Sequence, residues 1–265
     1  MDSVRATVWG EGVPAVLVHG STSWGADPVF GFAAQRPLAD AFRLLAMDRR
    51  GHGASPGTGS DYDLDAADIA GLLGDGAHLV GHSYGGVGAM LAAARRPDAV
   101  LSLTLIEPGC YQAAADHPAV AAALRANREA HAAFPRDLAP DAYLRAATES
   151  VGWPPLDPTP DRLRAAGAAM RERVCWEAPI PVAELAAASF PKLVLGGTWE
   201  TAPALYRERA GGPLTACAEV TADRIGARHV RIAGAAHYPH VERPDAVNEA
   251  LRALWTGGAE VPAEG

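Results

Sequence analysis

Gly81-His82-Ser83-Tyr84-Gly85-Gly86 fits the pattern G-x-S-x-G, directly after the apolar run His78 to Val80 and directly before a helical pattern. A strand that turns sharply into a helix forces the central residue into strained torsions. It also leaves no room for Cβ atoms two positions to either side, which is why glycines flank the serine. Such a turn lifts the Ser83 hydroxyl out of the sheet. The exposed N–H groups and dipole of the following helix favour negative charge beside it. The chemistry this arrangement serves is nucleophilic attack by a serine on a carbonyl carbon.

That chemistry needs a proton acceptor and donors for an oxyanion. His19-Gly20-Ser21-Thr22 follows the run Ala15 to Val18, where a loop can turn backbone N–H groups toward the nucleophile. Ser21 is the expected first donor, Thr22 its alternative, and the N–H of Tyr84, the residue after the serine, is the second donor. The expected base is His237, in Ala233-Gly234-Ala235-Ala236-His237-Tyr238-Pro239-His240, after the last apolar run and before the C-terminal helix pattern. There it can take the Ser83 proton and return it to a leaving group. His240 is the rival three residues on. His78, His82 and His229 border strands, and His117 and His131 fall in a different kind of segment. A zinc pair from His237 and His240 has no third ligand nearby, so no metal is expected.

The elements that must position these residues are read from hydrophobic periodicity. Short apolar runs recur at Val4 to Trp9, Ala15 to Val18, Arg43 to Met47, His78 to Val80, Leu101 to Ile106, Leu193 to Leu195 and His229 to Ile232. Several are nearly continuous in apolar character, as strands buried on both faces are. Helical spacing lies between them, notably at Asp65 to Leu73, Gly85 to Arg95 and Pro244 to Trp255. Alternating strands and helices predict a mostly parallel, doubly wound α/β sheet. From Tyr111 to Phe190 the chain is instead Ala- and Arg-rich with helical spacing, broken by Pro135, Pro140, Pro154, Pro155, Pro158 and Pro160. It reads as a helical cap or lid over 111–190, inserted into a core formed by 1–110 and 191–265.

Composition narrows the function. The chain has 265 residues, 49% hydrophobic, with 28 Gly and 21 Pro, so it can bury a large core and is not low-complexity. The formal charge is −8 with acids scattered along it, which argues against a nucleic-acid partner. Lys192 is the single lysine, so Schiff-base chemistry and a P-loop have almost no candidates. Gly51-His52-Gly53 lacks a third glycine at Pro56, which removes a dinucleotide fingerprint, and no cofactor is expected. Cys110, Cys175 and Cys217 are odd in number and form no CxxC pair, so they read as small core side chains. No leader or span-length apolar run is seen, and a cytoplasmic protein without a membrane partner is expected.

Taken together these segments resemble the α/β-hydrolase fold. The likeness runs from His19-Gly20 through Asp48-Arg49-Arg50-Gly51-His52-Gly53-Ala54-Ser55, similar to the family's D-x-R-G-x-G-x-S turn, to the Ser83 turn and His237. The resemblance implies a Ser, acid, His triad in that chain order and a helical cap over the pocket. Its acid is open between two glutamates. The usual family position, three residues past the Gly that ends the penultimate strand, is Glu200 in Gly197-Thr198-Trp199-Glu200. The minority position, just after the preceding strand, is Glu107 in Leu105-Ile106-Glu107-Pro108, and Glu107 is preferred because it follows a clean apolar strand and is held by Pro108. Family members that attack with Asp, the haloalkane dehalogenases and epoxide hydrolases, are excluded by Ser83. Haloperoxidase-like and carbon–carbon hydrolase members stay open.

The resulting expectation is a serine hydrolase of an ester, lactone or thioester of a small to medium apolar compound, with Trp24, Tyr111, Trp153 and Trp176 as pocket walls. The alternative is the same fold used as a ligand receptor, or as a biosynthetic cyclase or lyase.

Overall fold

The structure is a computed structural model describing residues 3–135 and 137–257. The seven apolar runs form seven strands of one sheet. They are β1 (Ala6–Trp9), β2 (Val13–Val18), β3 (Phe42–Met47), β4 (Ala77–His82), β5 (Val100–Ile106), β6 (Lys192–Gly197) and β7 (Arg228–Ile232). Their spatial order is β1-β3-β2-β4-β5-β6-β7, with β1 antiparallel to β3 and every other pairing parallel.

Successive strand residues feed two different cores. Val16, Leu79, Leu103 and Val194 face one layer with Leu73 and Met90, whereas Leu17, Val80, Ile106 and Leu195 face the other with Phe32, Leu251 and Trp255. A period of two with both faces apolar is what a sheet covered on both sides requires. Each such aliphatic side chain contributes roughly 1.5–3 kcal/mol on burial. On one side lie α1 (Tyr62–Leu72) and α2 (Tyr84–Arg95). Asp61 caps α1 by accepting from the N–H groups of Asp63 and Leu64.

Between β5 and β6 the described residues contain no strand. They form α3 (Pro118–Ala133), α4 (Pro140–Glu149), α5 (Pro160–Ala169) and α6 (Val182–Ala187). Two of the prolines read as breaks in the helical spacing start helices instead: Pro140 and Pro160 open α4 and α5, where a missing N–H costs nothing. A single turn α7 (Ala204–Tyr206) and then α8 (Gly212–Ile225) cross from β6 to β7, and α9 (Pro239–Glu242) and α10 (Pro244–Trp255) close the chain. The parallel strands all end on one edge, and the loops after β2, β4, β5, β6 and β7 converge there.

Candidate active site

Ser83 sits between the end of β4 and the start of α2 with φ 51°. A Cβ at Gly81 would lie 2.6 Å from the Gly85 carbonyl oxygen, and one at Gly85 would lie 2.4 Å from the carbonyl oxygens of Val18 and His19. The flanking glycines therefore let the turn close against the loop after β2. Tyr84 is the first residue of α2, so its N–H has no intrahelical acceptor.

The loop after β7 brings the imidazole of His237 to the serine, with Nε2 3.1 Å from Ser83 Oγ. Behind it, Nδ1 lies 3.8 Å from Oε2 of Glu107, which follows β5 and is buried. At that distance the two atoms are not hydrogen-bonded, and neither His237 Nδ1 nor Glu107 Oε2 has a hydrogen-bond partner among the described residues. Glu107 is held by its other oxygen, which accepts from the Gly197 N–H at 2.6 Å and Trp199 Nε1 at 3.2 Å. Glu200 is placed differently. It is exposed, and its carboxylate accepts from the N–H of Gly234 at 3.0 Å. His240 is buried, with Nε2 donating to the Phe30 carbonyl. His82 is buried too, and its Nε2 donates to the carbonyl of His237 at 2.8 Å.

Among the described residues, the non-glycine positions with positive φ are Thr22, Ser83, Glu107 and Trp199. All four lie in the loops that meet here. Each such torsion costs on the order of 1–3 kcal/mol, and that cost concentrates where geometry is imposed by surroundings.

The loop after β2 lies directly over Ser83, since a Cβ at Gly20 would be 3.2 Å from Ser83 Cβ. Below it, fully buried Arg49 donates to the Gly20 carbonyl at 3.2 Å, pairs with Asp65 of α1 at 2.9 Å, and stacks over the Tyr84 ring at 4.4 Å. Two residues between β5 and β6 reach the same loop. Glu172 pairs with Arg49 at 2.7 Å and accepts from Ser21 Oγ at 3.4 Å. Arg162 of α5 donates to the Thr22 carbonyl at 2.6 Å and pairs with buried Asp27 at 2.6 Å. Arg162, Glu172, His82 and Trp199 are site residues that the sequence reading missed.

Burial sets the electrostatics. It lowers His237 to about 4, so the ring is neutral and able to accept a proton. It raises Glu107 to about 8 against the pull of the Gly197 and Trp199 donors. Glu172 is raised by burial to about 7, opposed by Arg49.

A cavity of about 150 Å³ is lined by Thr22, Phe30, Leu144, Trp153, Tyr206 and Tyr238 among others, and the rings of Tyr206 and Tyr238 lie 6.3 and 5.0 Å from that of His237. Trp153 is one of its walls. Trp24 instead lines a second cavity of about 480 Å³ with Asp27, Leu156 and Arg162. Tyr111 and Trp176 line neither. Tyr111 is packed in the core, and Trp176 lies edge-on to His131.

The profile of the alpha/beta hydrolase family matches residues 15–250, nearly the whole chain. The chain belongs to that family. This α/β hydrolase is 36% identical over 123 residues to the pimeloyl-[acyl-carrier protein] methyl ester esterase of Aeromonas salmonicida, an alignment covering 45% of the chain and 47% of that protein. It is 42% identical over 104 residues to the 2-(acetamidomethylene)succinate hydrolase of Mesorhizobium japonicum, covering 37% of the chain and 36% of that enzyme. The matches thus span about half or less of the curated relatives. Among solved structures, a thermophilic esterase from Thermogutta terrifontis, bound to malate, superposes with TM-score 0.66 at 25% identity over 96% of the chain and 93% of its own. Among the described residues of this α/β hydrolase, no helix is long and apolar enough to cross a membrane.

Proposed function

We propose that the protein is a serine hydrolase that cleaves a carboxylic ester, lactone or thioester of a small to medium apolar compound through an acyl-enzyme. The observation that carries this reading is the 3.1 Å approach of His237 Nε2 to Ser83 Oγ with the Glu107 carboxyl behind the same ring. Ser83 attacks the carbonyl carbon while His237 takes its proton. Glu107 holds Nδ1–H toward itself and stabilises the imidazolium. The N–H groups of Ser21 and Tyr84 hold the oxyanion, and His237 then protonates the leaving group. Water, deprotonated by His237 in turn, releases the acyl group and restores the serine. The 3.8 Å gap between Nδ1 and Glu107 is the kind of loose contact that tightens when substrate is bound.

The aromatic-lined cavity supports the substrate size. A space of about 150 Å³ holds a group the size of a benzene ring. Across p-nitrophenyl esters of rising chain length, kcat/KM is expected to peak at short acyl chains or a phenyl-sized acyl group and to fall about tenfold or more for a decanoyl chain. Undiminished rates on long chains contradict this placement, and absence of turnover on esters, lactones and acyl thioesters alike contradicts the hydrolase reading.

The pH profile follows from the burial of the pair. The working form has Glu107 ionised and His237 neutral with its proton on Nδ1. With Glu107 raised to about 8 and His237 lowered to about 4, falling pH puts the first proton on the pair well above the ordinary range of a glutamate. kcat/KM is therefore expected to fall with decreasing pH along a limb between the ordinary histidine value of 6.5 and about 8. In Glu107→Gln only the ring remains to titrate, and the limb of the residual activity moves below 6.5. A wild-type rate that stays flat through that interval, or a limb unmoved in the variant, contradicts the assignment.

A further inference from the structure

The loop that carries the Ser21 N–H is shaped from outside the sheet. Thr22 has φ 55°, a torsion that a β-branched residue adopts only when its surroundings force it. Its carbonyl oxygen accepts from Arg162 Nη1 at 2.6 Å across 140 residues of chain. The same guanidinium is 2.6 Å from Asp27 Oδ2 and 2.9 Å from Asp27 Oδ1, and its carbon lies 4.7 Å and 5.1 Å from the ring centres of Trp24 and Phe30. Asp27 in turn accepts from Ser23 Oγ at 3.0 Å and the Val29 N–H at 2.9 Å, which ties the rest of the loop to the same point. Arg162 and Asp27 are both buried, so this planar fork is held by paired hydrogen bonds and by two aromatic rings.

From this we infer that Arg162 is a positioning residue for the oxyanion loop: by fixing the Thr22 carbonyl it holds the far end of the strained turn on which the Ser21 N–H faces the oxygen of the reacting carbonyl. This deepens the serine-hydrolase reading and rests on it. The Ser21 N–H lies in the peptide whose carbonyl, that of Gly20, accepts from Arg49, and the Arg162 bond to the Thr22 carbonyl pins the other end of the same short turn, two peptides along, from the helical segment between β5 and β6. That segment thereby contributes to the reaction itself as well as to the pocket wall. Displacing an oxyanion donor by about 1 Å lowers turnover by about 10²-fold, and the donor acts on the transition state more than on the bound substrate. The expected signature is a fall in kcat with little change in KM.

Arg162 lines the cavity of about 480 Å³ that opens between this loop and residues 155–161, so truncation to Ala leaves a space that a free guanidinium ion can enter. The test measures burst and steady-state hydrolysis of a short p-nitrophenyl ester by the full chain, with active sites counted by a fluorophosphonate. Arg162→Ala is expected to titrate normally per folded chain, to lose about 10²-fold in kcat with KM within about threefold, and to regain about tenfold with added guanidinium ion, which leaves the wild type unchanged. Arg162→Lys, which can reach Thr22 or Asp27 but not both in the same plane, is expected to lie between the two. A kcat per active site within about threefold of wild type, a loss confined to KM, or a loss that guanidinium does not reverse overturns the positioning role. Should Arg162→Ala not fold, a wild-type kcat per active site in Arg162→Lys overturns it equally. A wild-type chain that neither bursts nor titrates overturns the serine-hydrolase reading along with it.

Discussion

Ser83→Ala is expected to lower kcat for an activated ester by about 10⁶-fold, His237→Ala by a similar factor, and the double variant by no more than either alone. The reason is geometric. With Nε2 3.1 Å from Oγ, the ring and the hydroxyl form one device, and removing either end leaves the other nothing to act on. Rate that survives comes from the oxyanion donors and from substrate positioning, which the double variant keeps. The folded structure should tolerate both changes, since Ser83 accepts its strained φ from the backbone bonds Ser83 N–H to Ile106 O and Gly86 N–H to Ser83 O, and its side chain adds none of them. Measured kcat values for the two single variants and the double one decide the matter. Losses that multiply would mean that Ser83 and His237 act in separate steps, which contradicts the proposal.

The second expectation separates the two glutamates. Glu107→Gln should lower kcat by about 10³–10⁴-fold, because an amide facing Nδ1 favours the tautomer with its proton on the wrong nitrogen. Glu200→Gln should change kcat by less than about threefold, since an exposed side chain that accepts from Gly234 N–H can still do so as an amide. Stability should move the opposite way. Folding raises Glu107 from 4.5 to about 8, so between those values the folded chain holds a proton that the unfolded chain has released. Stability from this residue is therefore lost as pH rises through that window. Gln removes the effect, and the Gly197 and Trp199 donors keep an acceptor, so Glu107→Gln should melt above wild type at pH 8 by more than it does at pH 5. A large kcat loss in Glu200→Gln with Glu107→Gln near wild type would transfer the role to the residue after Trp199.

Much of this architecture is legible in the residues. All seven apolar runs became strands, because continuous apolar character over a few residues has few other uses in an alternating α/β chain. Pro244–Trp255 is a helix over the expected span because its apolar spacing is strong and Pro244 marks its start. Helix α8 was harder to read. Its buried face is built from Leu214, Cys217, Ala218, Thr221 and Ile225, and small or weakly polar residues blur the contrast that periodicity depends on.

At the site, Ser83 and His237 follow from their neighbours in sequence, because local turn chemistry marks them. Arg162, Glu172 and Trp199 do not, since each acts across a long stretch of chain: Arg162 on Thr22, Glu172 on Ser21 and Arg49, Trp199 on Glu107. Nothing in a local pattern says which arginine of an Arg-rich helical stretch turns toward a loop so far away. Aromatic residues are ambiguous for the same reason. Trp153 lines the cavity beside Tyr238, but Tyr111 packs inward, and a residue type alone carries no direction.

The central claim is that Ser83 is a nucleophile activated by His237. Incubation with a fluorophosphonate probe followed by peptide mapping tests it most directly. The expected result is one phosphonyl group per wild-type chain, on the peptide containing Ser83, with none on Ser83→Ala and much slower labelling of His237→Ala. An unlabelled wild-type protein, or label that persists when Ser83 is replaced, would contradict the account.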